Sequence, residues 1–347
     1  MTLEEFNKNR MQNIKECKDK IMDDFKKLSI KDQLLYDFTN DCDSIKYINN
    51  NSAIDKYFIY KAKRHSPSDF ILKNEWTDPI NKTTFKKGEV GYKEGQEYVE
   101  KINDDPNYNG IVDPDSNSKL LQKIYNELWE NINDKSYMLQ KNGNISGDTM
   151  TSFSNSLKII DSSYTVNKCF QEYATNKNKM SKKIMKNEQV YVFMKLYHTI
   201  GNFIPVPSYF NSARCGKSAC DDYWFLTLKR IKDYFSAIDD QEVKLKKLLP
   251  SKKRKYPSTV PNTKEWLNSY EKDFEAFLNI NYLQDYKELE LIGYDKNGSE
   301  FIKKVNEVIL KRGIRMLKEL NDDKNKKNEC EELLKKDYDK LLEELIK

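Results

Sequence analysis

The 347-residue chain sets 60 Lys and Arg against 55 Asp and Glu, with 38% hydrophobic and 33% charged residues, which describes a globular protein with a heavily charged surface. Its 11 Gly and 9 Pro argue against long disordered linkers, and no run approaches the roughly 20 apolar residues of a membrane span. No basic segment followed by an apolar core opens the chain, so no signal peptide is expected, and six cysteines without framework spacing read as reduced thiols of a cytoplasmic protein.

The net charge of +5 matters less than where it sits: Lys244 to Tyr256 holds seven Lys or Arg and no acid, leaving −2 for the rest. A second run, Lys177 to Asn187, holds five lysines and no acid. Blocks of this kind meet phosphate backbones or stand as solvated loops.

In chain order, Thr2 and Glu5 form a capping box before a helix with Phe6, Ile14, Ile21, Phe25 and Leu28 on one stripe. Ser29 can cap a second, shorter helix through Leu34, Leu35 and Phe38. From Asp43 to Tyr108 the pattern loosens, with 57–60 and 69–72 as short strand candidates. Ser118 then caps a helix with Leu121, Ile124, Leu128 and Ile132 at three- and four-residue spacing. After the Asn142-Gly143 turn, Ser146-Gly147-Asp148-Thr149 opens a helical pattern reaching about Tyr173, with Asp148 able to cap it.

A buried helix over 188–197 stops at Gly201-Asn202. Pro250, Pro257 and Pro261 bracket the basic run as a loop, and Thr263 starts a helix through Trp266, Tyr270, Phe274 and Phe277. Two further helices close the chain, one with Phe301, Val305, Val308, Ile309 and Leu317, the last with Leu334, Tyr338, Leu341 and Leu345. The expected architecture is mainly α-helical with a few short strands: a single large globular domain with an irregular N-terminal region. Its parts are a helical and aromatic-rich segment (1–112), a core (113–320) and a docked C-terminal helix (321–347).

The chemistry-bearing residues concentrate between His198 and Phe235. Gly216-Lys217-Ser218, with Arg214 just before, invites comparison with a phosphate-binding loop, in which amides and a lysine cradle phosphate and the hydroxyl holds magnesium. The first glycine of that motif is replaced by Asn211, and Pro205 and Pro207 are ill-suited to a central parallel strand. A true P-loop fold is therefore not expected. A simpler anion site remains, formed by a Gly-Lys-Ser turn entering a helix N-terminus, with Asn211 shaping the turn. Asp221 and Asp222 can cap that helix, or one can pair with Arg214 or hold a metal.

His198 ends an apolar helix, where a histidine serves packing more often than catalysis. With His65 the only other histidine, no metal-ligand spacing exists, and Cys215 and Cys220 lack a second pair. No zinc site is expected. Arg312 and Arg315, three apart on one helical face, either meet solvent or close an anionic pocket.

Several blocks together carry a resemblance. Asp113-Pro114-Asp115-Ser116 with Lys119 and Leu128-Trp129, Gly147-Asp148-Thr149, Thr199-Ile200-Gly201-Asn202-Phe203 with Pro205, Asn211, Arg214 and Asp222, and Leu226-Thr227-Leu228 with Ile231 resemble a family of uncharacterised bacterial proteins, chiefly from Firmicutes-type bacteria. Members often have a histidine where this chain has Tyr125. The heavy use of Lys, Asn and Ile is in keeping with an AT-rich bacterial coding bias. The Gly201-Asn202-Phe203…Asn211 spacing is also similar to a block of HNH-type restriction nucleases. Those need an Asp-His pair to activate water beside the metal, and this chain has none.

The leading expectation is recognition of a phosphate-bearing ligand, a nucleotide or nucleic acid, in a bacterial or phage setting such as phage defence or counter-defence. Asn211, Arg214, Gly216, Lys217, Ser218, Arg312 and Arg315 would form the ligand site, and Lys252, Lys253, Arg254 and Lys255 would meet nucleic acid. The first alternative is a metal-dependent nuclease or nucleotide hydrolase using Asp148, Asp222 or His198, with Mg2+ as its cofactor. The second is a protein-binding module without catalysis.

Overall fold

The computed structural model of the chain describes residues 21–38, 75–77, 84–86, 118–130, 145–151, 187–214, 224–250, 259–286 and 298–346. Among these, twelve α-helices, one 3-10 turn and two two-stranded sheets are present, so the protein is mainly α-helical. The expected helix start at Thr2, the strands at 57–60 and 69–72, the Asn142-Gly143 turn and the lysines from Lys177 to Lys186 lie outside the described residues.

The architecture is organised around one long helix. Heptad-like apolar spacing continues from Phe301 to Leu320 without proline, giving a 23-residue helix over Gly298–Leu320, roughly 35 Å at 1.5 Å per residue. Ten of its apolar side chains, Phe301, Ile302, Val305, Val308, Ile309, Leu310, Ile314, Met316, Leu317 and Leu320, are buried. That many cannot fit on a single stripe, so neighbours cover it on several sides.

The elements follow in chain order. Helices α1 (Ile21–Lys27) and α2 (Ile30–Leu34) come first. Ser29 caps α2 as its sequence position requires, its hydroxyl accepting from the Asp32 amide at 3.1 Å. The 3-residue strands β1 (Glu75–Thr77) and β2 (Thr84–Lys86) pair antiparallel. Ser118 caps α3 (Lys119–Glu130), accepting from the Leu121 amide at 3.0 Å. Strand β3 (Ile145–Thr149), helix α4 (Glu188–Leu196), a 3-10 turn (Ile200–Asn202) and strand β4 (Phe203–Pro207) follow. Next come α5 (Phe210–Arg214), α6 (Trp224–Phe235), α7 (Gln241–Leu248), α8 (Thr259–Asn268) and α9 (Phe274–Ile280). The long helix is α10, and α11 (Lys324–Leu334) and α12 (Tyr338–Leu345) finish the chain. Helices α2, α3, α4, α11 and the 3-10 turn all pack on α10. One hydrophobic core runs from Met22 to Leu345.

Four local expectations are corrected. Residues 145–149 form a strand, not the first turn of a helix, because β4 supplies a partner that local sequence does not reveal. Asp148 is consequently no N-cap. The described part of the basic run, through residue 248, is helix, since Leu245 and Leu248 inside α7 and Leu249 just after it are buried and carry Lys246 and Lys247 outward. Helix α8 starts at Thr259, ahead of Pro261, because a first-turn proline lacks only an amide that would find no partner there anyway. The last expected helix is two, broken where Asp337 caps α12 through the Lys340 amide at 3.0 Å.

The prolines of β4 also find a reason. The Met150 amide donates to the Asn202 carbonyl at 2.8 Å, which fixes the parity of the β3–β4 ladder. Residues 202, 204 and 206 face β3, so Pro205 and Pro207 fall where an amide would point away from it.

Candidate functional site

Asp148 lies on β3 opposite Ile204 of β4, with 1% of its surface exposed. Two chain segments from far along the sequence converge on its Oδ2. Arg214, the last residue of α5, donates from Nε at 2.7 Å and brings Nη2 to 2.6 Å. Trp224, the first residue of α6, donates from Nε1 at 2.7 Å. The guanidinium also sits 5.5 Å from the Trp224 ring, and the Trp224 amide donates to the Met150 carbonyl at 3.3 Å. Arg214 is fully buried. This is a buried ion pair with charge-assisted hydrogen bonds, whose partners are individually costly to remove.

The clamp has a positional consequence. Residues 215–223, which carry Gly216, Lys217, Ser218 and Asp222, leave α5 at Arg214 and enter α6 at Trp224. The two residues that flank that nine-residue segment, Arg214 and Trp224, therefore both donate to one carboxylate oxygen. The segment itself lies outside the described residues. Arg214, grouped with it by sequence proximity, directs its charge at Asp148 inside the protein. Asn211 is half-buried on α5.

The Thr199–Phe203 block works as a joint. Gly201 meets α10 so closely that a Cβ there would lie 2.0 Å from the Ile309 carbonyl oxygen. Asn202 is fully buried; its amide group donates to the Tyr197 carbonyl at 2.8 Å, and its Oδ1 accepts from the Thr151 amide at 3.0 Å. Thr199 turns its hydroxyl back onto the Leu196 carbonyl at 2.8 Å. His198 is buried, its ring parallel to Phe203 at 6.1 Å and its Nδ1 3.8 Å from Asp37 Oδ1. These residues hold α4, β3, β4 and α10 together.

Arg312 and Arg315 share a helix but not a destination. Arg315 forms a two-pronged pair with Asp285, Nε to Oδ2 at 3.0 Å and Nη2 to Oδ1 at 3.3 Å. Arg312 is fully buried and donates to backbone carbonyls, from Nε to Asn281 at 3.2 Å and from Nη1 to Gly201 at 3.0 Å and Phe203 at 2.7 Å. Burial lowers its pKa to about 10, which keeps it a cation at neutral pH. The Phe203 carbonyl it reaches points away from β3, as the ladder parity requires.

Trp224 as an Asp148 partner and Asn202 as a joint were not distinguished by sequence. The only local hint is a Trp opening an amphipathic helix, where its N–H needs an acceptor once buried. Lys252, Lys253, Arg254 and Lys255 lie outside the described residues, as do His65, Cys215 and Cys220. Among the described residues, no group of three or more His, Cys, Asp or Glu could hold a metal, and no helix is long and apolar enough to cross a membrane. The fold and site thus define a mainly α-helical protein with a buried Asp–Arg–Trp clamp. No family model, curated protein or solved structure matches the chain.

Proposed function

We propose that this chain binds a phosphate-bearing ligand, a nucleotide or nucleic acid, through residues 215–223. The observation that supports this is the shared Asp148 oxygen, on which converge Arg214 and Trp224, the residues that flank a stretch containing Gly216, Lys217 and Ser218. A short stretch with anchored flanks loses less conformational freedom on binding than a free one, so more of the contact energy is retained. In this reading Lys217 supplies the charge, Ser218 a hydroxyl and Gly216 a close backbone approach. Arg214 belongs to the support rather than the contact. The setting is a bacterial or phage cytoplasm, in defence or counter-defence, and the basic residues Lys252 to Lys255 extend the contact when the ligand is a nucleic acid. A metal-dependent nuclease is less well supported, since Asp148 Oδ2 already accepts from Arg214 and Trp224.

Titration calorimetry of wild type, Lys217→Ala and Arg214→Ala with ATP, GTP and short RNA and DNA tests the reading. Lys217→Ala is expected to bind about tenfold more weakly or worse, the loss of one charge-assisted hydrogen bond, with its melting temperature unchanged. Arg214→Ala is expected to fail first in stability. Equal affinity of Lys217→Ala and wild type would overturn the assignment.

A further inference from the structure

Among the described residues, three large apolar side chains are exposed: Tyr209, Ile238 and Val243. Two of them fall at one place, where α6 gives way to α7. Ile238 keeps 89% of its surface in the open and Val243 49%. Ile238 lies just ahead of Asp240, the N-cap of α7, and Val243 stands in the first turn of that helix.

Helix α7 turns Leu245 and Leu248 into the core. At about 100° per residue, its opposite face carries Val243 with Lys246 and Lys247, three and four positions further on. All three are exposed. Asp239 and Asp240, also exposed, stand four and three positions before Val243. Glu242 is engaged by Lys264 at 2.8 Å, whereas Asp240 comes only within 3.9 Å of Lys244. What remains is an apolar centre with two acids on one side and two bases on the other, at matching spacings.

We infer that this face pairs with the same face of a second copy of the chain, across a two-fold axis at Val243. In an antiparallel register about that residue, Lys247 faces Asp239 of the second copy and Lys246 faces Asp240. The symmetry repeats both pairs, so four ion pairs surround a contact between the two Val243 side chains, flanked by Ile238. An isologous interface requires this kind of self-complementarity. A phosphate-bearing surface fits the face less well, whether a bilayer or a nucleic acid. It would attract Lys246 and Lys247 but repel Asp239 and Asp240, and a nucleic acid would leave Ile238 and Val243 in water. Two helical turns fall short of a standard interface, so the dimer is weak, with a dissociation constant on the order of 10–100 μM. The ion pairs fix its register more than its affinity. This surface is separate from residues 215–223 and does not rest on the reading given for them.

Sedimentation velocity from about 1 to 500 μM tests the pairing. Wild type should show a reversible dimer that weakens as salt rises. Val243→Asp sets two carboxylates against each other on the axis and should raise the dissociation constant about tenfold or more. The double variants Asp239→Lys with Asp240→Lys, and Lys246→Glu with Lys247→Glu, each oppose like charges and should sediment as monomers. Mixed in equal amounts, they place opposite charges at all four contacts and should recover the dimer. These side chains are exposed, so melting temperatures should stay near wild type, which separates lost pairing from lost folding. A wild type that remains monomeric throughout, including one that binds anionic vesicles or oligonucleotides as a monomer, would overturn the inference. So would charge variants that dimerise alone, or that fail to associate on mixing.

Discussion

Substituting Gly201 with alanine is the sharpest probe of the joint at the centre of the molecule. The added Cβ would lie 2.0 Å from the Ile309 carbonyl oxygen, 2.9 Å from its carbon and 3.1 Å from the Gly313 amide nitrogen. Carbon and oxygen in contact keep about 3.3 Å, and no rotamer relieves a clash with backbone. Helix α10 and the 3-10 turn must separate by roughly 1 Å, which costs about 1–3 kcal/mol as overpacking. The Arg312 bonds to Gly201 and Phe203, at 3.0 and 2.7 Å, would stretch with them. Weakening a buried charged hydrogen bond adds roughly 1.5–3 kcal/mol. Gly201→Ala is therefore expected to lose about 3–5 kcal/mol. In urea, with a slope of roughly 2–3 kcal/mol/M, the midpoint falls by about 1–2 M. Gly313→Ala provides the control. Its Cβ would meet Leu34 Cδ1 at 2.5 Å, the far end of a flexible side chain, and alanine recovers about 1 kcal/mol of helix propensity. A Gly201→Ala midpoint within about 0.3 M of wild type, or an equal loss in Gly313→Ala, would refute this account of the packing.

Asp148→Ala leaves Arg214 as an uncompensated buried cation and should lower stability by about 3–5 kcal/mol in urea unfolding, whereas an unchanged midpoint would show the clamp to be weak. Asn202→Ala leaves buried groups of Thr151 and Tyr197 unpaired and should cost about 2–4 kcal/mol by the same measurement. Burial pushes Tyr270 and Tyr286 to about 12 and the free Cys330 thiol to about 12. The unfolded chain releases these protons earlier, so their stabilisation is full below about pH 9 and is lost as pH rises toward 12. Arg312, lowered by burial, works in the opposite direction above about pH 10 and offsets part of the loss. Urea midpoints should fall steadily between about pH 9 and 11.5, and a flat profile would contradict the burial of these groups. Replacing Lys252, Lys253, Arg254 and Lys255 with serine should flatten the salt dependence of duplex binding by roughly 0.9 units per lost phosphate contact; an unchanged slope would leave the run a solvated segment.

Periodicity and caps alone carried much of the local structure. The apolar spacing of 301–317 needs only the 3.6-residue repeat to become a helix, and Ser29 and Ser118 cap through bonds that span three residues. Such interactions are local, so a single sequence displays them. What the sequence could not display were pairings across long separations. Ile145–Thr149 has the residues of a helix start, yet a partner strand almost sixty residues on makes it a strand. Gly201 reads as a helix stop until the close approach of Ile309 gives it a steric reason. Arg214 neighbours Gly216 in sequence, so its charge was grouped with the turn; folding directs it instead to Asp148, 66 residues away. Arg312 and Arg315 share a helical face by spacing, but the depth of α10 in the core sends one to backbone carbonyls and the other to Asp285. Sequence determines which groups carry charge and which local bonds form. Which charge meets which partner depends on burial, and burial exists only once distant segments have packed.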